Sequence, residues 1–155
     1  MIIIEIPGRE TLKIDHVVLD YNGTVAEDGI LLSGLLHRFE KLKESAEVRI
    51  LTADTYGTVR KQCEPLGIQV ETFPGAFAAE CKEKIVKGLS GGVCCIGNGY
   101  NDTRMFAAAA LRIAVLGKEG IYPGLLTHSD VLTTSPEDAL DLLLKPDRLR
   151  ATLRT

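Results

Sequence analysis

Three short apolar runs end in groups that can do chemistry. HVVLD closes on Asp20 and continues into Tyr21, Asn22, Gly23 and Thr24. EVRILT closes on Thr52 and continues into Ala53, Asp54 and Thr55. VCCIG closes on Gly97 and leads into Asn98, Gly99, Tyr100, Asn101 and Asp102. Taken singly, each cluster reads as a turn or a helix cap, where Asp, Asn, Thr and Gly are ordinary punctuation. Taken together they suit phosphoryl transfer. A strand-end carboxylate can attack phosphorus and form an aspartyl-phosphate. A threonine hydroxyl and the backbone N–H groups of a Gly-containing loop can hold the transferring oxygens. A divalent cation on hard oxygen ligands offsets the repulsion between carboxylate and phosphate.

Lys82 supplies an ammonium for the same chemistry by periodicity. Ala78, Ile85, Val86 and Leu89 form the apolar stripe of a helix over 77–89, and Lys82 lies in that stripe, four residues from both Ala78 and Val86. Lys84 and Lys87 fall on the opposite side. The plainer reading of Lys82 is a side chain that snorkels over apolar surface.

These groups need elements to position them. Ile2–Ile6 and Thr11–Ile14 read as two short strands around the turn Pro7-Gly8-Arg9-Glu10. Strands follow at 16–20, 47–52, 68–72, 93–97, 111–116 and 130–133. Helices are expected at 31–43, 55–64 with Asp54 as N-cap, 77–89, 102–110 and 136–144 with Ser135 as N-cap. Strand and helix alternate five times, which predicts an α/β protein with a doubly wound parallel sheet between two helical layers. Such sheets bind ligands beyond the carboxyl ends of their strands, where all three clusters would lie. The segment 145–155, with three Arg and one Lys, is expected to be a docked tail or a frayed end.

The chain has 155 residues, which suits one domain over 1–155, with a hairpin at 1–14. Lys and Arg number 18 against 21 Asp and Glu, so no excess of positive charge points to nucleic acid or an anionic membrane. No apolar run has the ~18 residues of a membrane span, and MIIIEIPGRE lacks the basic start of a signal peptide. The four cysteines form no Cys-x-x-Cys pair, and Cys94 and Cys95, adjacent on a strand, point to opposite faces. Buried reduced thiols in a cytoplasmic protein are the expectation. His16, His37 and His128 are isolated. Gly117-Lys118-Glu119-Gly120 reads as a turn that can line the same sheet edge, and Tyr21 as either a packing residue or part of the substrate mouth.

In motif order the chain resembles the haloacid-dehalogenase superfamily: a hydrophobic strand with DYNGT, a strand with ILTADT, a lysine, then GNGYND. The intervals Asp20 to Thr52, Thr52 to Lys82 and Lys82 to Asp102 are 32, 30 and 20 residues. Within the superfamily it looks most like the small soluble P-type-ATPase-like proteins. The P-type ATPases themselves carry DKTGT, TGD and GDGxND where this chain has DYNGT, TAD and GNGYND. The intervals leave no room for a cap domain, and capless members often assemble so that a neighbouring copy covers the site. The resemblance implies that Asp20 is the nucleophile, that Thr52 and Lys82 bind the phosphoryl group, and that Gly23, Thr24, Ala53 and Asp54 contact substrate. It places Mg2+ among Asp20, the carbonyl of Asn22, Asn98 and Asp102. The implied substrate is a small phosphorylated compound or ATP, although the nucleotide-binding insertion of the full P-type ATPases is missing.

Two positions depart from the family pattern. Asn22 stands where phosphatases of the superfamily carry an acid–base Asp, and loss of such help typically costs 10²–10⁴-fold. Asn98 stands where a metal-binding Asp is usual. Good leaving groups or a long-lived aspartyl-phosphate follow from the first change, and weak metal binding from the second. A member that binds phosphate or a protein partner without turnover is the alternative. A response-regulator receiver is a poorer match, because no acidic pair closes an earlier strand and GNGYND has no place in it.

Overall fold

The computed structural model describes residues 1–53 and 57–155. Its centre is a six-stranded parallel sheet. The strands are β3 (His16–Asp20), β6 (Glu47–Thr52), β7 (Gln69–Thr72), β8 (Val93–Gly97), β9 (Leu111–Val115) and β10 (Val131–Thr133), in the spatial order β10-β9-β8-β3-β6-β7. Two antiparallel pairs flank it: β1 (Ile2–Ile4) with β2 (Leu12–Ile14), and β4 (Ala26–Glu27) with β5 (Ile30–Leu31). The helices are α1 (Leu36–Lys43), α2 (Val59–Cys63), α3 (Ala78–Gly88), α4 (Thr103–Ala107), α5 (Pro136–Leu144) and α6 (Pro146–Leu153).

The period-two alternation of the central strands sorts the core into two layers. Val17, Leu19, Ile50, Cys94 and Ile96 pack with Phe39 and Leu42 of α1 and Leu140 of α5. Val18, Leu51 and Cys95 pack on the other face with Val86 of α3 and Met105 and Phe106 of α4. Cys94 and Cys95 thus serve opposite layers, and all four thiols are free. Burial pushes the Cys63 thiol up to about 11, and those of Cys94 and Cys95 are raised as well, so these three are inert core residues.

The expected strands at 16–20, 47–52 and 93–97 and the helix at 136–144 have the observed bounds, and Ser135 Oγ accepts a hydrogen bond from the Asp138 N–H as an N-cap. The expected helix over 31–43 does not begin at Leu31. That residue belongs to β5, paired with Ala26 across a turn in which Asp28 and Gly29 both have positive φ, 50° and 78°. This is the conformation of a two-residue Asp-Gly hairpin, and the apolar stripe at Leu31 and Leu32 masked it. A single 3₁₀ turn at Ser33–Leu35 then leads into α1. Similar 3₁₀ turns precede α3 and α4, so those helices begin later than expected. The helix expected over 55–64 starts at Val59; its proposed cap, Asp54, and residues 55–56 lie outside the described residues.

The segment 145–155 is largely helical. Lys145, driven out of the helical region by the following Pro146 (φ −126°, ψ 69°), separates α5 from α6. Leu149 is fully buried, Arg150 Nε donates to the Glu5 carbonyl at 2.8 Å, and the Thr155 N–H donates to the Pro7 carbonyl at 3.2 Å. The tail and the β1–β2 hairpin therefore close one end of the core against each other.

Candidate active site

Asp20 is the last residue of β3, the strand flanked by β6 and β8. It shares the face of Val18, two residues earlier, so its carboxylate is directed to the α3 layer. Lys82 is on α3 between the buried residues Ala78 and Val86, and is itself 1% exposed. Its Nζ donates to Asp20 Oδ1 at 2.6 Å, to Asp102 Oδ1 at 2.7 Å and to Asn101 Oδ1 at 3.0 Å. Core periodicity thus delivers an ammonium to the carboxyl edge of the sheet, with all three of its protons engaged.

Asp102 is held from both sides. Its Oδ2 accepts the backbone N–H groups of Asn98 and Gly99 at 3.0 and 2.9 Å, while Oδ1 faces Lys82. This curls the loop after β8 back on itself. Gly97 is required here, because a Cβ would stand 2.5 Å from Asp102 Oδ2. The curl aims Asn98 at the loop after β3: Asn98 Oδ1 accepts from Thr24 Oγ1 at 3.1 Å, and its Nδ2 donates to the Gly120 carbonyl at 3.1 Å. Thr24 Oγ1 is also 3.3 Å from Asp20 Oδ2, so its one proton is shared between two acceptors. Gly23 has φ +79° and its Cβ would fall 2.3 Å from Asn98 Nδ2, so glycine serves both the turn and the close approach.

The electrostatics follow from one ammonium among two carboxylates. Burial, and then the charge of Asp102, push Asp20 up from 3.8 to about 6, against the opposing pull of Lys82. Burial alone would lower the Lys82 pKa, but Asp102 and Asp20 outweigh it and hold the ammonium above its ordinary value. The cluster therefore carries a net negative charge when Asp20 is ionised. Asn22 adds a buried side-chain oxygen with no hydrogen-bond partner. Among the described residues no three His, Cys, Asp or Glu side chains are gathered as a metal site. The oxygens of Asp20 and Asn98, which share the Thr24 hydroxyl, and of the orphaned Asn22, two residues after Asp20, are hard donors with one carboxylate among them. Such a set fits Mg2+, which takes one or two carboxylates and keeps several waters or phosphate oxygens.

Thr52, at the end of β6 beside β3, is buried and lies on the same sheet edge; Ala53 follows it, and Asp54 is outside the described residues. The turn at 117–120 lines the same edge: besides the Gly120 carbonyl, Glu119 accepts the Asp28 N–H and Lys118 pairs with Glu27 on the β4–β5 hairpin. Tyr21 is a packing residue, 2% exposed, with its hydroxyl on the Gly29 carbonyl. Two contributors were not singled out individually: Asn101, whose signal was its place inside GNGYND, and the Gly120 carbonyl, whose signal was its place in the turn at 117–120 expected at this edge.

No family model matches the chain. Two curated proteins of Methanocaldococcus jannaschii are similar in sequence. The uncharacterized protein MJ0073 is 44% identical over 62 residues, 40% of this chain and 67% of that protein. The uncharacterized protein MJ0072 is 51% identical over 39 residues, 25% of this chain and 89% of that protein. Among solved structures, the cobalt-bound deoxy-D-mannose-octulosonate 8-phosphate phosphatase of Haemophilus influenzae superposes with a TM-score of 0.71 at 17% identity, over 92% of this chain and 94% of that one. The corresponding phosphatase of Moraxella catarrhalis, solved with magnesium, phosphate and KDO, has a TM-score of 0.66 at 21% identity, over 91% and 94%. At these identities the likeness is one of fold. The chain belongs to the family of the uncharacterized protein MJ0073, and its fold is that of the haloacid-dehalogenase superfamily of phosphatases.

Proposed function

We propose that the protein is a Mg2+-dependent phosphohydrolase or phosphotransferase that works through an aspartyl-phosphate on Asp20. The observation that carries this reading is the 2.6 Å contact between the Asp20 carboxylate and a fully buried lysine at the open end of a parallel sheet. A carboxylate oxygen of Asp20 attacks phosphorus, the bond from phosphorus to the leaving oxygen breaks, and that oxygen departs with the electron pair. Lys82, released in part from Asp20 as the carboxylate becomes an acyl phosphate, faces the phosphoryl oxygens together with the Thr52 hydroxyl. In this reading Gly23, Thr24, Ala53 and Asp54 are the residues that contact substrate. Asp102 acts through Lys82 and through the loop it folds.

Asp20, Asn98 and the Asn22 segment would hold Mg2+; when bound, the ion neutralises the carboxylate and the phosphate so that they can approach. Asn22 has no proton to give near neutral pH, so the leaving group must depart without help. Acyl phosphates, aryl phosphates and nucleoside triphosphates such as ATP meet that demand, and the solved proteins of like fold are phosphatases of a small phosphorylated compound, octulosonate 8-phosphate. Water then attacks the same phosphorus, the Asp20–phosphate bond breaks, and inorganic phosphate leaves. The soluble P-type-ATPase-like grouping and a second copy covering the open site belong to the same reading.

A second reading is a phosphate-binding protein without turnover, favoured by amides at both Asn22 and Asn98. Hydrolysis of p-nitrophenyl phosphate and acetyl phosphate with Mg2+ separates the two. The first reading expects turnover that Asp20→Ala abolishes. Equal rates for Asp20→Ala and the native protein would remove Asp20 from the chemistry.

A further inference from the structure

Beside the catalytic loop are two exposed rings that the phosphoryl chemistry leaves unused. Tyr100 is 70% exposed and Tyr122 is 40% exposed, and their centroids are 5.1 Å apart with planes inclined at 72°. Both are tied to the loop that aims Asn98. Tyr100 is inside it, and the Tyr122 N–H donates to the Asn98 carbonyl at 2.8 Å. The Tyr122 ring is laid over Gly124, where a Cβ would fall 2.5 Å from ring carbons and the hydroxyl, so only glycine lets the ring lie there. The two rings form the corner of a cavity of about 280 Å3 that Ala79, Arg104 and His128 complete. Ala79 is one turn of α3, about 5 Å, before Lys82.

The lining suits a ring rather than a second phosphate. The Arg104 guanidinium is taken up by Glu80 at 2.8 Å and by Glu83 through Nε at 2.6 Å, so it offers no free positive charge. A T-shaped pair leaves ring faces open at a corner. A flat ligand can stack on one tyrosine while meeting the edge of the other. The volume is at the small end for ligand pockets and admits one ring system.

We propose that the Tyr100–Tyr122 corner is the leaving-group subsite of the Asp20 centre and takes a planar ring, as found in an aryl or nucleoside phosphate. This rests on the phosphoryl-transfer reading above. The geometry makes Tyr100 and Tyr122 specificity-determining residues and Gly124 a positioning residue for the Tyr122 ring.

The test compares p-nitrophenyl phosphate, which carries a ring, with acetyl phosphate, which does not. Tyr122→Ala, Tyr100→Ala and Gly124→Ala should each raise KM for p-nitrophenyl phosphate ~10-fold, within the range for one stacked ring. KM for acetyl phosphate should stay within about twofold. Tyr122→Phe, which keeps the ring, should behave as the native protein. Equal changes for both donors, or none for either, overturn the subsite. Saturation-transfer NMR without turnover keeps this separate from the nucleophile assignment. Ring protons of p-nitrophenyl phosphate and of adenosine monophosphate should receive saturation from the native protein and from Asp20→Ala, and lose it with Tyr122→Ala. Transfer to only one probe identifies which ring source fits, and transfer to neither refutes the subsite even if Asp20 proves catalytic.

Discussion

The Lys82 Nζ stands between two carboxylates, 2.6 Å from Asp20 Oδ1 and 2.7 Å from Asp102 Oδ1, with almost no access to water. One end of this bridge is the proposed nucleophile. The other is the residue that curls the loop carrying Asn98. A single ammonium therefore couples the geometry of the two loops, and its removal should be felt in stability as well as in catalysis.

Lys82→Met keeps the buried length of the side chain and deletes its charge. It should cost about 3–5 kcal/mol at pH 7, the usual loss when one partner of a buried ion cluster is removed. The loss should shrink at pH 5, where Asp20 takes a proton and the two carboxylates no longer repel. Urea denaturation at the two pH values checks this. A loss independent of pH would mean that packing, not charge, is what Lys82 contributes.

Asp20 is pushed up to about 6, chiefly by burial. Its neutral form is therefore favoured in the folded chain, and its contribution to stability falls as pH rises from 3.8 to about 6. Turnover needs the ionised form, so the rate should climb around pH 6, where the folded chain's carboxyl loses its proton. A cation competes with the proton for the carboxylate. Raising Mg2+ from a limiting to a saturating level should move the rising limb of the pH–rate profile to lower pH. A limb that ignores Mg2+ would place the cation elsewhere.

The two amides make separable predictions. Asn22→Asp supplies a proton-exchanging group and should raise hydrolysis of poor leaving groups by ~10²-fold or more. Asn98→Asp adds a formal charge to the cation ligands and should lower the Mg2+ concentration for half-maximal activation by ~10-fold, since ligand charge count tunes such sites. Without Mg2+, Asn98→Asp should melt at a lower temperature than the native protein, because a third carboxylate joins Asp20 and Asp102. Thermal melts in chelator and in Mg2+ read both effects. Equal melting of the two proteins in chelator would show that the new carboxylate escapes the cluster.

A control for electrostatics away from the site is Asp141. Arg38 Nε bonds its Oδ1 at 2.8 Å and Lys145 its Oδ2 at 2.9 Å, and these partners, Arg38 foremost, hold its pKa below the ordinary 3.8. A depressed carboxylate contributes stability above its unfolded pKa and loses it as pH falls through the folded value. Asp141→Asn should therefore cost about 1–3 kcal/mol at pH 7, the range for hydrogen bonds to charged groups. The difference from the native protein should shrink as pH falls below 3.8 and through the lower folded-state value. Chemical denaturation from pH 7 to pH 3 checks the trend, which should be absent from phosphatase kinetics at neutral pH.

Much of this molecule was legible in the linear chain because its determinants are local or periodic. Buried runs such as HVVLD and VCCIG read as central strands since every side chain in them meets a layer of core. The position of Lys82 within an apolar stripe sufficed to bring it inward, since a helix repeats every 3.6 residues whatever surrounds it. The β4–β5 hairpin was carried by Asp28-Gly29 but hidden by neighbouring leucines, two local signals in conflict. Only the tertiary structure decided who meets whom across the sheet edge. That Asp102 meets Lys82, that Asn98 leans on Gly120 and that Thr24 reaches Asn98 depend on segments far apart in the chain converging in space. Such contacts span separations with no period to betray them.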